Sequence, residues 1–552
     1  MVTTAAILEN EIWSGAGASA TFIPESAIYM GADGTITGAV FEPNASSFSN
    51  KWVLVPDLYK GCLVRVTYTA NGITSTQYFT VKSNTVDSIT FDEDAVAALG
   101  GSSTITVNAY MMPYGAPCPV DTPTNGTYAL LADNWLGLVN SFTPPSLEVE
   151  TQQMNLALGG TRNFTYQYKK GSTVTGVSLD VSMHHGAWLY YALGRIASIN
   201  TTDDSLGAVA TGYTGLAISA HNETRIYKID NDQPHPPAPE TWTNGILSGA
   251  MDTYTGLKKL DTAAGVTPLE YTFTERNDGT LPSFALEVSY EKEGIADDYR
   301  YTGSQGDSST DATTTPYKDI FTRIVTGCQV NSFTMSFEEG QELKCSLDLV
   351  ARRLFDAPIG YAPRNGKSRA LSNLTNFRNA DDVNVQPYFF SDGTIQIYGQ
   401  TYARIKSGSL TINNNLTAQR YIGNYSKDMV SAHIGGQRLY DLSFTMQITD
   451  TTLWDNLRAE GEHLGAGNKI QLKFSKNAEY DTDGDLDLDG SDANPAIDYD
   501  YIEIQLEDFI TQSLDVPFPE DKGPVEVSVT LAARTLASCK YRGMWAIINQ
   551  EY

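Results

Sequence analysis

Apolar and polar residues alternate with a period of two along much of this chain. Residues 62–68, 177–183 and 442–446 show the pattern, and Gly, Asn and Asp separate many such runs. This alternation predicts β-strands that bury one face, joined by turns. Only short helices are expected, around Trp188 and Trp454. The pattern therefore predicts a mainly β protein.

A short repeat lies near the end of the chain. Residues 343–354 align without a gap with residues 525–536, and Ser, Leu, Ala, Arg and Leu fall at matching places. The preceding stretches 332–340 and 513–523 share the spacing from Ser to Phe, and each ends in an acidic turn with Gly. Two copies of one β-hairpin, at the ends of two long segments, indicate a duplicated domain.

Three domains are expected from these patterns. Residues 1–118 contain short alternating runs whose spacing suits a small β-sandwich, and a Pro-rich joint follows. Residues 127–355 and 385–545 each predict a strand pair, a strand, a short helix, further strands and a closing hairpin. We therefore expect two copies of a β-sandwich or barrel domain with a short helix, behind a small N-terminal β-sandwich.

The charge of the chain restricts its partners. Of the 552 residues, 65 are Asp or Glu and 37 are Lys or Arg, so the formal net charge is −28. Such a chain repels phosphates, which argues against nucleic-acid binding by counterion release. The same charge suits a surface past which DNA slides without sticking, and an ordinary acidic, soluble surface is the simpler interpretation.

Cysteine usage and hydropathy indicate a reducing compartment. The five cysteines are scattered and lack CxxC spacing, which predicts buried free thiols. The N-terminus has no basic region followed by an apolar core, and no run of about 18 apolar residues occurs. Neither a secretory signal nor a membrane anchor is expected.

An acidic loop is the sharpest local signal for a ligand. Asp485, Asp487 and Asp489, followed by Gly490, match the start of a Ca²⁺-binding loop, in which alternate carboxylates converge on one hard cation. Ala496 stands where such loops carry a Glu, and no flanking helices are evident. A structural Ca²⁺ ion and a disordered acidic loop therefore both remain open.

Catalytic motifs are missing from the sequence. His184 and His185 are adjacent before a predicted helix, so their side chains point apart, and structural polar residues are the expected interpretation. No nucleophile elbow, phosphate-binding loop, HExxH or CxxC motif is present. We therefore predict that the protein is not an enzyme.

Several stretches resemble the tail tube proteins of tailed phages and archaeal viruses. The resemblance covers roughly residues 130–540 and is carried by residues 139–145, 148–153, 183–188, 332–340 and 516–524. It implies β domains with one helix that join into rings, and rings that stack into a tube through which viral DNA passes without specific binding. Family members with one domain usually form hexamers, so two fused domains would give a trimer with pseudo-sixfold symmetry.

The resemblance also implies partners and a location. The subunit would contact copies of itself and other tail proteins, such as a sheath, baseplate or terminator protein. It would be made in the host cytoplasm and reside in the virion tail. Residues 1–118 lie outside the resemblance and are expected on the tube exterior, so their deletion is expected to leave ring formation intact.

Free sheet edges offer a physical route to such rings. Pairing between the edges of neighbouring domains would close a shared inner wall. The candidate lumen strands are 146–168 and 409–425, and an ordinary solvated face is the alternative for their polar side chains. The candidate lumen residues are Glu148, Glu150, Gln152, Asn413 and Asn415.

Two other functions remain open. A baseplate, distal or terminator ring protein of the tail would share the fold without polymerising. A carbohydrate-binding β protein would use Tyr and Trp side chains together with a Ca²⁺ loop, although no carboxylate pair in the sequence suggests glycoside chemistry.

Overall fold

The computed structural model confirms the mainly β class. It describes residues 13–25, 28–29, 34–42, 57–70, 72–85, 88–101, 103–112, 114–116, 138–154, 166–201, 258–259, 269–276, 281–292, 320–356, 386–398, 400–401, 404–419, 431–434, 436–447, 469–477, 499–516, 523–543 and 545–546.

The strands are numbered in chain order. The first eight are β1 (Trp13–Pro24), β2 (Ile28–Tyr29), β3 (Gly34–Thr37), β4 (Val40–Glu42), β5 (Leu63–Ala70), β6 (Ile73–Asn84), β7 (Ile89–Phe91) and β8 (Thr104–Met111). The next ten are β9 (Leu138–Thr143), β10 (Ser146–Met154), β11 (Tyr166–Ser182), β12 (Gly194–Thr201), β13 (Lys258–Lys259), β14 (Leu269–Glu275), β15 (Phe284–Lys292), β16 (Ile320–Glu338), β17 (Lys344–Ala351) and β18 (Arg353–Asp356).

The remaining elements complete the described chain. The last ten strands are β19 (Gly393–Ile397), β20 (Gln400–Thr401), β21 (Ile405–Asn413), β22 (Leu416–Gln419), β23 (Ser431–Ile434), β24 (Leu439–Gln447), β25 (Lys469–Asn477), β26 (Tyr499–Asp515), β27 (Glu526–Gly543) and β28 (Trp545–Ala546). The helices are α1 (Ala95–Ala98), α2 (Ala187–Leu193) and a 3-10 turn (Phe390–Asp392).

The N-terminal β domain is a closed barrel rather than the expected sandwich. Strands β3, β4, β7, β6, β5 and β8 pair in that order, and β8 returns to β3. Closure is possible because β8 is long enough to pair with two strands in succession, with β3 at its start and with β5 at its end. The barrel core is apolar, with Phe41, Val66, Phe79 and Ile105 buried.

Most of the remaining described chain forms two units with the same strand pairings. Strands β12 and β14 pair with each other, β14 also pairs with the second half of β27, and this hairpin has no counterpart among the described strands. In the first unit, β9, β11, β17 and the second half of β16 lie side by side. In the second unit, β21, β24, the first half of β27 and the second half of β26 do the same. Each long strand then continues into a second layer, which contains β15 and β18 in the first unit and β25 in the second.

Matching irregularities support the equivalence of the units. Asn331 of β16 is an extra residue beside Leu349 of β17, and Gln512 of β26 is an extra residue beside Leu531 of β27. The two leucines occupy the same place in the sequence repeat. A β-bulge inserts one residue and bends its strand, so bulges at matching places give both units the same local shape.

Two further irregularities match as well. Asn140 of β9 and Lys406 of β21 are extra residues at the corresponding steps of their ladders. Gly327 and Asp508 both have positive φ, of 67° and 53°, at the same point of β16 and β26. Positive φ is uncommon outside glycine, so its recurrence here is informative.

Strand β1 is the counterpart of β19. In each unit a row of directly paired residues crosses four strands and ends at a leucine of the repeat. The row in the first unit is Phe22, Leu286, Val325 and Leu354. The row in the second unit is Ile397, Ile470, Leu506 and Leu536. We infer that the first unit begins at β1 and that the barrel is inserted between its first two strands.

A buried polar neck holds the inserted barrel to the first unit. Glu25 follows β1 and accepts hydrogen bonds from the backbone N–H of Gly115 (2.8 Å), the N–H of Gly327 (2.7 Å) and the hydroxyl of Ser283. These partners come from the barrel exit and from the first unit. A fully buried carboxylate with three donors therefore fixes the place where the chain enters and leaves the barrel.

Arg352 completes the neck from the other side. Its guanidinium donates to Cys62 Sγ and to the carbonyl oxygens of Tyr114 and Lys60, each at 3.2 Å. Two residues of the first unit, Ala285 and Ile324, join the apolar core of the barrel. The barrel and the first unit therefore share one interface, which combines apolar packing with charge-assisted hydrogen bonds.

Helix α2 lies at the centre of the main core. All its residues are buried, and Trp188 packs against Phe284 of β15 at 5.7 Å between ring centroids. The helix begins after Gly186, where a Cβ would lie 2.5 Å from Tyr541 Cβ, so a side chain there would displace β27. It ends at Gly194, whose φ of 105° suits glycine.

The role of β1 leads to a test with two deletions. Deletion of 1–118 removes the first strand of the first unit, so we expect loss of soluble, cooperatively folding protein; this reverses the expectation from sequence. Excision of 28–113 with a short Gly–Ser link across the neck keeps β1 and should retain a cooperative transition. Thermal unfolding followed by circular dichroism distinguishes them, and equal behaviour of the two variants would contradict the insertion.

The neck carboxylate should make stability depend on pH. Burial raises the pKa of Glu25 to about 7, although its three hydrogen bonds and Arg352 act in the opposite direction. The folded state then holds the proton more tightly, so this contribution is full below about pH 4.5 and is lost as the pH rises through about 7. Its size is about 3 kcal/mol at most. Glu25→Gln should abolish this slope of unfolding free energy against pH, and Glu42→Gln, at an exposed barrel position, should preserve it.

Candidate assembly interface

The two units join into one continuous sheet. The second half of β16 pairs with β21, so the strand order runs β9, β11, β17, β16, β21, β24, β27, β26. The first four strands belong to the first unit and the last four to the second. We call the β16–β21 contact the internal junction.

Hydrogen bonds fix the register of the internal junction at both ends. At one end, Glu339 N–H donates to the carbonyl oxygen of Lys406 at 2.8 Å. At the other end, Asn414 N–H donates to the carbonyl oxygen of Asn331 at 2.8 Å, and the buried Asn414 amide donates to the Val330 carbonyl oxygen at 2.9 Å. Because Asn331 is the bulge residue of β16, the bulge sets where the ladder ends.

Close backbone packing strengthens the same junction. Phe337 lies opposite Gly408, where a Cβ would come within 2.5 Å of the phenyl ring. On the solvent side, the hydroxyls of Thr334 and Thr411 lie 3.2 Å apart across the two strands. On the core side, Met335 and Leu410 are paired and fully buried.

The continuous sheet has two free edges within the described residues. Strand β9 pairs only with β11, and residues 509–515 of β26 pair only with β27. Both edges carry exposed apolar side chains. Val139 lies on the β9 edge, and Ile510 and Val516 lie on the β26 edge, where 43% of the surface of Val516 is accessible. Exposed edges with apolar side chains favour pairing with another strand.

The first three predicted lumen residues lie on a projecting hairpin. Strand β10 pairs with the start of β11, mostly beyond the end of β17, and the far end of the hairpin, including residues 166–170, is exposed on both faces. Glu148 and Gln152 are exposed and Glu150 is half-buried. The apolar Leu147 and Tyr166 on the same hairpin are also exposed. Strands β22 and β23 form the matching hairpin of the second unit.

The other two predicted lumen residues support the turn that leads into this second hairpin. Asn413 Oδ1 accepts a hydrogen bond from Asn415 N–H at 3.0 Å, and the Asn415 amide donates to the Gln437 carbonyl oxygen at 2.7 Å. Asn415 has a φ of 48°, which asparagine tolerates better than most residues. Asn413 ends β21 on the same side of the sheet as Ser409, whereas the other four predicted residues lie in hairpins or at a turn.

A hydroxyl-rich sheet face was missed by the sequence analysis. It is the side of the continuous sheet opposite the core, and it forms a groove of about 360 Å³ across β16, β21, β24 and β27. The hydroxyl residues of the groove are Ser336, Ser407, Ser409, Ser443, Thr445, Ser528 and Thr530. Ser and Thr at alternate positions of these four strands are the signal that the sequence carries for this face.

Charge on this face is mainly acidic. Among the described residues, Glu338 and Glu342 line the groove with a single cation, Lys344. Nearby, Lys406 pairs with Glu526, which lowers the pKa of that carboxyl. The groove therefore presents hydroxyl groups and an excess of carboxylates, and the nearby Lys406 is paired.

The adjacent histidines His184 and His185 are buried before helix α2. Burial lowers the pKa of His185 to about 3, with Lys476 acting in the same direction, and its Nδ1 accepts a hydrogen bond from Ala187 N–H. Within the described ranges, no group of three His, Cys, Asp or Glu side chains is placed to hold a metal ion. Asp485, Asp487 and Asp489 lie outside those ranges.

Comparison with known families identifies the class of the protein. A family model described as phage tail tube protein matches residues 118–534. No curated protein matches the chain. Among the described residues, no helix is long and apolar enough to cross a membrane.

The chain belongs to the phage tail tube protein family, as the resemblance had indicated. It is a structural protein of a virion tail, in a family whose members assemble with themselves and with other tail proteins. The family match begins after the inserted barrel, so it does not include β1.

Proposed function

We propose that this protein is the major tail tube subunit and that three copies form a ring with pseudo-sixfold symmetry. The internal junction is the observation that carries the proposal, because it joins two equivalent units edge to edge within one chain. The same contact between copies would continue the sheet. Family membership supports this function over a carbohydrate-binding protein.

Head-to-tail contacts can close such a ring. Among the described strands, each copy has one free edge at β9 and a different free edge at β26, so every contact joins unlike edges and leaves one of each kind available. Heterologous contacts of this kind close into a ring when their rotation allows it. The number of six units comes from the family resemblance, and two units in each chain then give three copies.

The hydroxyl-rich face is the lumen wall in this proposal. The opposite face is buried in the core, so only this one is available to line a channel. A wall of hydroxyl groups and carboxylates offers few cations to bind phosphates, and this favours passage of DNA without adhesion. This assignment keeps Asn413, which ends β21 on the same side as Ser409, and replaces Glu148, Glu150, Gln152 and Asn415 as the wall of the lumen.

The projecting hairpins and the barrel serve contacts outside the wall. Exposed apolar residues on the β10–β11 hairpin suit stacking on a neighbouring ring or on another tail protein, such as a baseplate or terminator protein. The neck at Glu25 attaches the barrel to the second layer of the first unit, on the side away from the hydroxyl-rich face. This attachment supports a position of the barrel on the tube exterior.

Electron microscopy of the purified chain over a concentration series tests the proposal. We expect rings whose mass is that of three chains, and we expect these rings to stack into hollow tubes as the concentration rises. Mass photometry gives the number of chains in each ring. Rings of three copies that never stack would favour a baseplate or terminator ring protein, and a monomer throughout would contradict ring formation.

We also propose that Asp485, Asp487 and Asp489 hold a structural Ca²⁺ ion. The support is the spacing of their carboxylates before Gly490. Chelation should then speed proteolytic cleavage within 477–500 several-fold and leave the main unfolding transition unchanged. Asp487→Asn should reproduce the effect of the chelator, whereas Asp392→Asn, at an exposed site elsewhere, should not. Equal cleavage with and without Ca²⁺ would reject the site.

A further inference from the structure

The internal junction also specifies how one copy pairs with the next. We propose that residues 513–516 of one copy pair antiparallel with residues 144–147 of its neighbour, in the register of the internal junction. This proposal rests on the proposed ring and deepens it, because it names the partner as a second copy and states which residues meet.

The register follows from the ladder inside each unit. Ser513 lies opposite Thr530, as Ser332 lies opposite Asp348, and these partners match in the sequence repeat. Ser513 is therefore the counterpart of Ser332 of the internal junction. Within the junction, Ser332 pairs with Asn413.

The counterpart of Asn413 is Leu147 of β10. Thr143 occupies the same place in the ladder with β11 that Ser409 occupies in the ladder with β24. The next four residues match one for one in the two units, so Leu147 corresponds to Asn413. The predicted pairs between copies are Ser513 with Leu147, Leu514 with Ser146, Asp515 with Pro145, and Val516 with Pro144.

Burial gives a reason for the contact to form. Val516 is the counterpart of Met335, which is fully buried in the internal junction, whereas Val516 is 43% exposed. Leu147 on the opposite edge is 46% exposed. Covering Val516, which lies on the core side of the sheet, removes apolar surface from water, and the contact uses edges that are otherwise free to pair with unrelated strands.

The two prolines are compatible with this register. In the internal junction, the N–H groups of Asn414 and Glu339 donate across to the other strand, so every second residue directs its backbone N–H and C=O at the partner strand. Applied to the contact between copies, the same alternation directs the backbone of Pro144 at the neighbour and that of Pro145 at β11. Pro144 therefore costs one hydrogen bond relative to the internal junction. The missing N–H of Pro145 points away from the neighbour.

Disulfide trapping tests the register directly. Ser513→Cys and Leu147→Cys, made together with Cys118→Ser, should cross-link under mild oxidation, because directly opposed residues of an antiparallel pair lie within the span of a disulfide. Denaturing electrophoresis without reductant should show species of two and three chains and none larger. The described native cysteines are buried and should not contribute.

A matched control shifts one position by two residues. Ser513→Cys with Val149→Cys sets the thiols on a diagonal of about 7 Å or more, beyond ready disulfide formation. Mixing chains that carry only Ser513→Cys with chains that carry only Leu147→Cys should give a two-chain product. Cross-linking of the control pair but not the test pair would overturn the register, as would a bond formed within one chain.

A charge at the edge gives an independent measurement. Val516→Asp should abolish rings while leaving the unfolding midpoint unchanged, since the side chain is exposed in the single copy. Ile73→Asp, at a more exposed position on the barrel, should leave rings intact. If Val516→Asp still forms rings and the Ser513→Cys and Leu147→Cys pair does not cross-link, this register is rejected but the proposed ring is not. Absence of rings in the unsubstituted chain would reject both.

Discussion

Antiparallel pairing between β16 and β21 is the contact on which the rest of the structure depends. It joins two units, each with its own ladder, into one sheet whose register is fixed by Asn331 at one end and Lys406 at the other. Because the alternation of side chains has a period of two, a slip of one residue would exchange the core face for the solvent face. The position of the hydroxyl-rich face therefore follows from this register.

The two units have diverged where the barrel is attached. Arg352 and Arg534 occupy the same place in the repeat, yet the first donates into the barrel and the second pairs with Asp508. Asp508 is the counterpart of Gly327, whose N–H binds the carboxylate of Glu25. A similar arginine thus serves a buried neck in one unit and an exposed ion pair in the other, where the energy at stake is small.

Periodicity and the repeat predicted much of the fold but not the connection through β1. Alternation located strands such as β11 and β24, and the repeat indicated the equivalence of the two closing hairpins. Strand β1 was assigned to the N-terminal domain because pairing partners are set by long-range contacts, which alternation does not specify. The barrel closes for a similar reason, since only the pairing of β8 with both β3 and β5 decides between a sandwich and a barrel.

The choice of lumen residues stays a prediction, because the sequence alone does not show which polar side chains share a strand face. Glu148 belongs to a strand that extends beyond its neighbours, whereas Ser409 and Ser443 lie side by side with hydroxyl oxygens 2.9 Å apart. Small hydroxyl side chains are common in many strands, so each alone carries little information. Their meaning depends on strand order, which became evident only from the paired ladders.

A cryo-electron microscopy reconstruction of the assembled ring, at a resolution that separates strands, tests the central claim most directly. The account predicts an uninterrupted inner sheet in which junctions within a chain alternate with equivalent junctions between β26 of one copy and the β9–β10 edge of the next. The hydroxyl-rich face should point into the channel. A ring held together by the hairpins or barrels, with the β26 edge left in solvent, would contradict it.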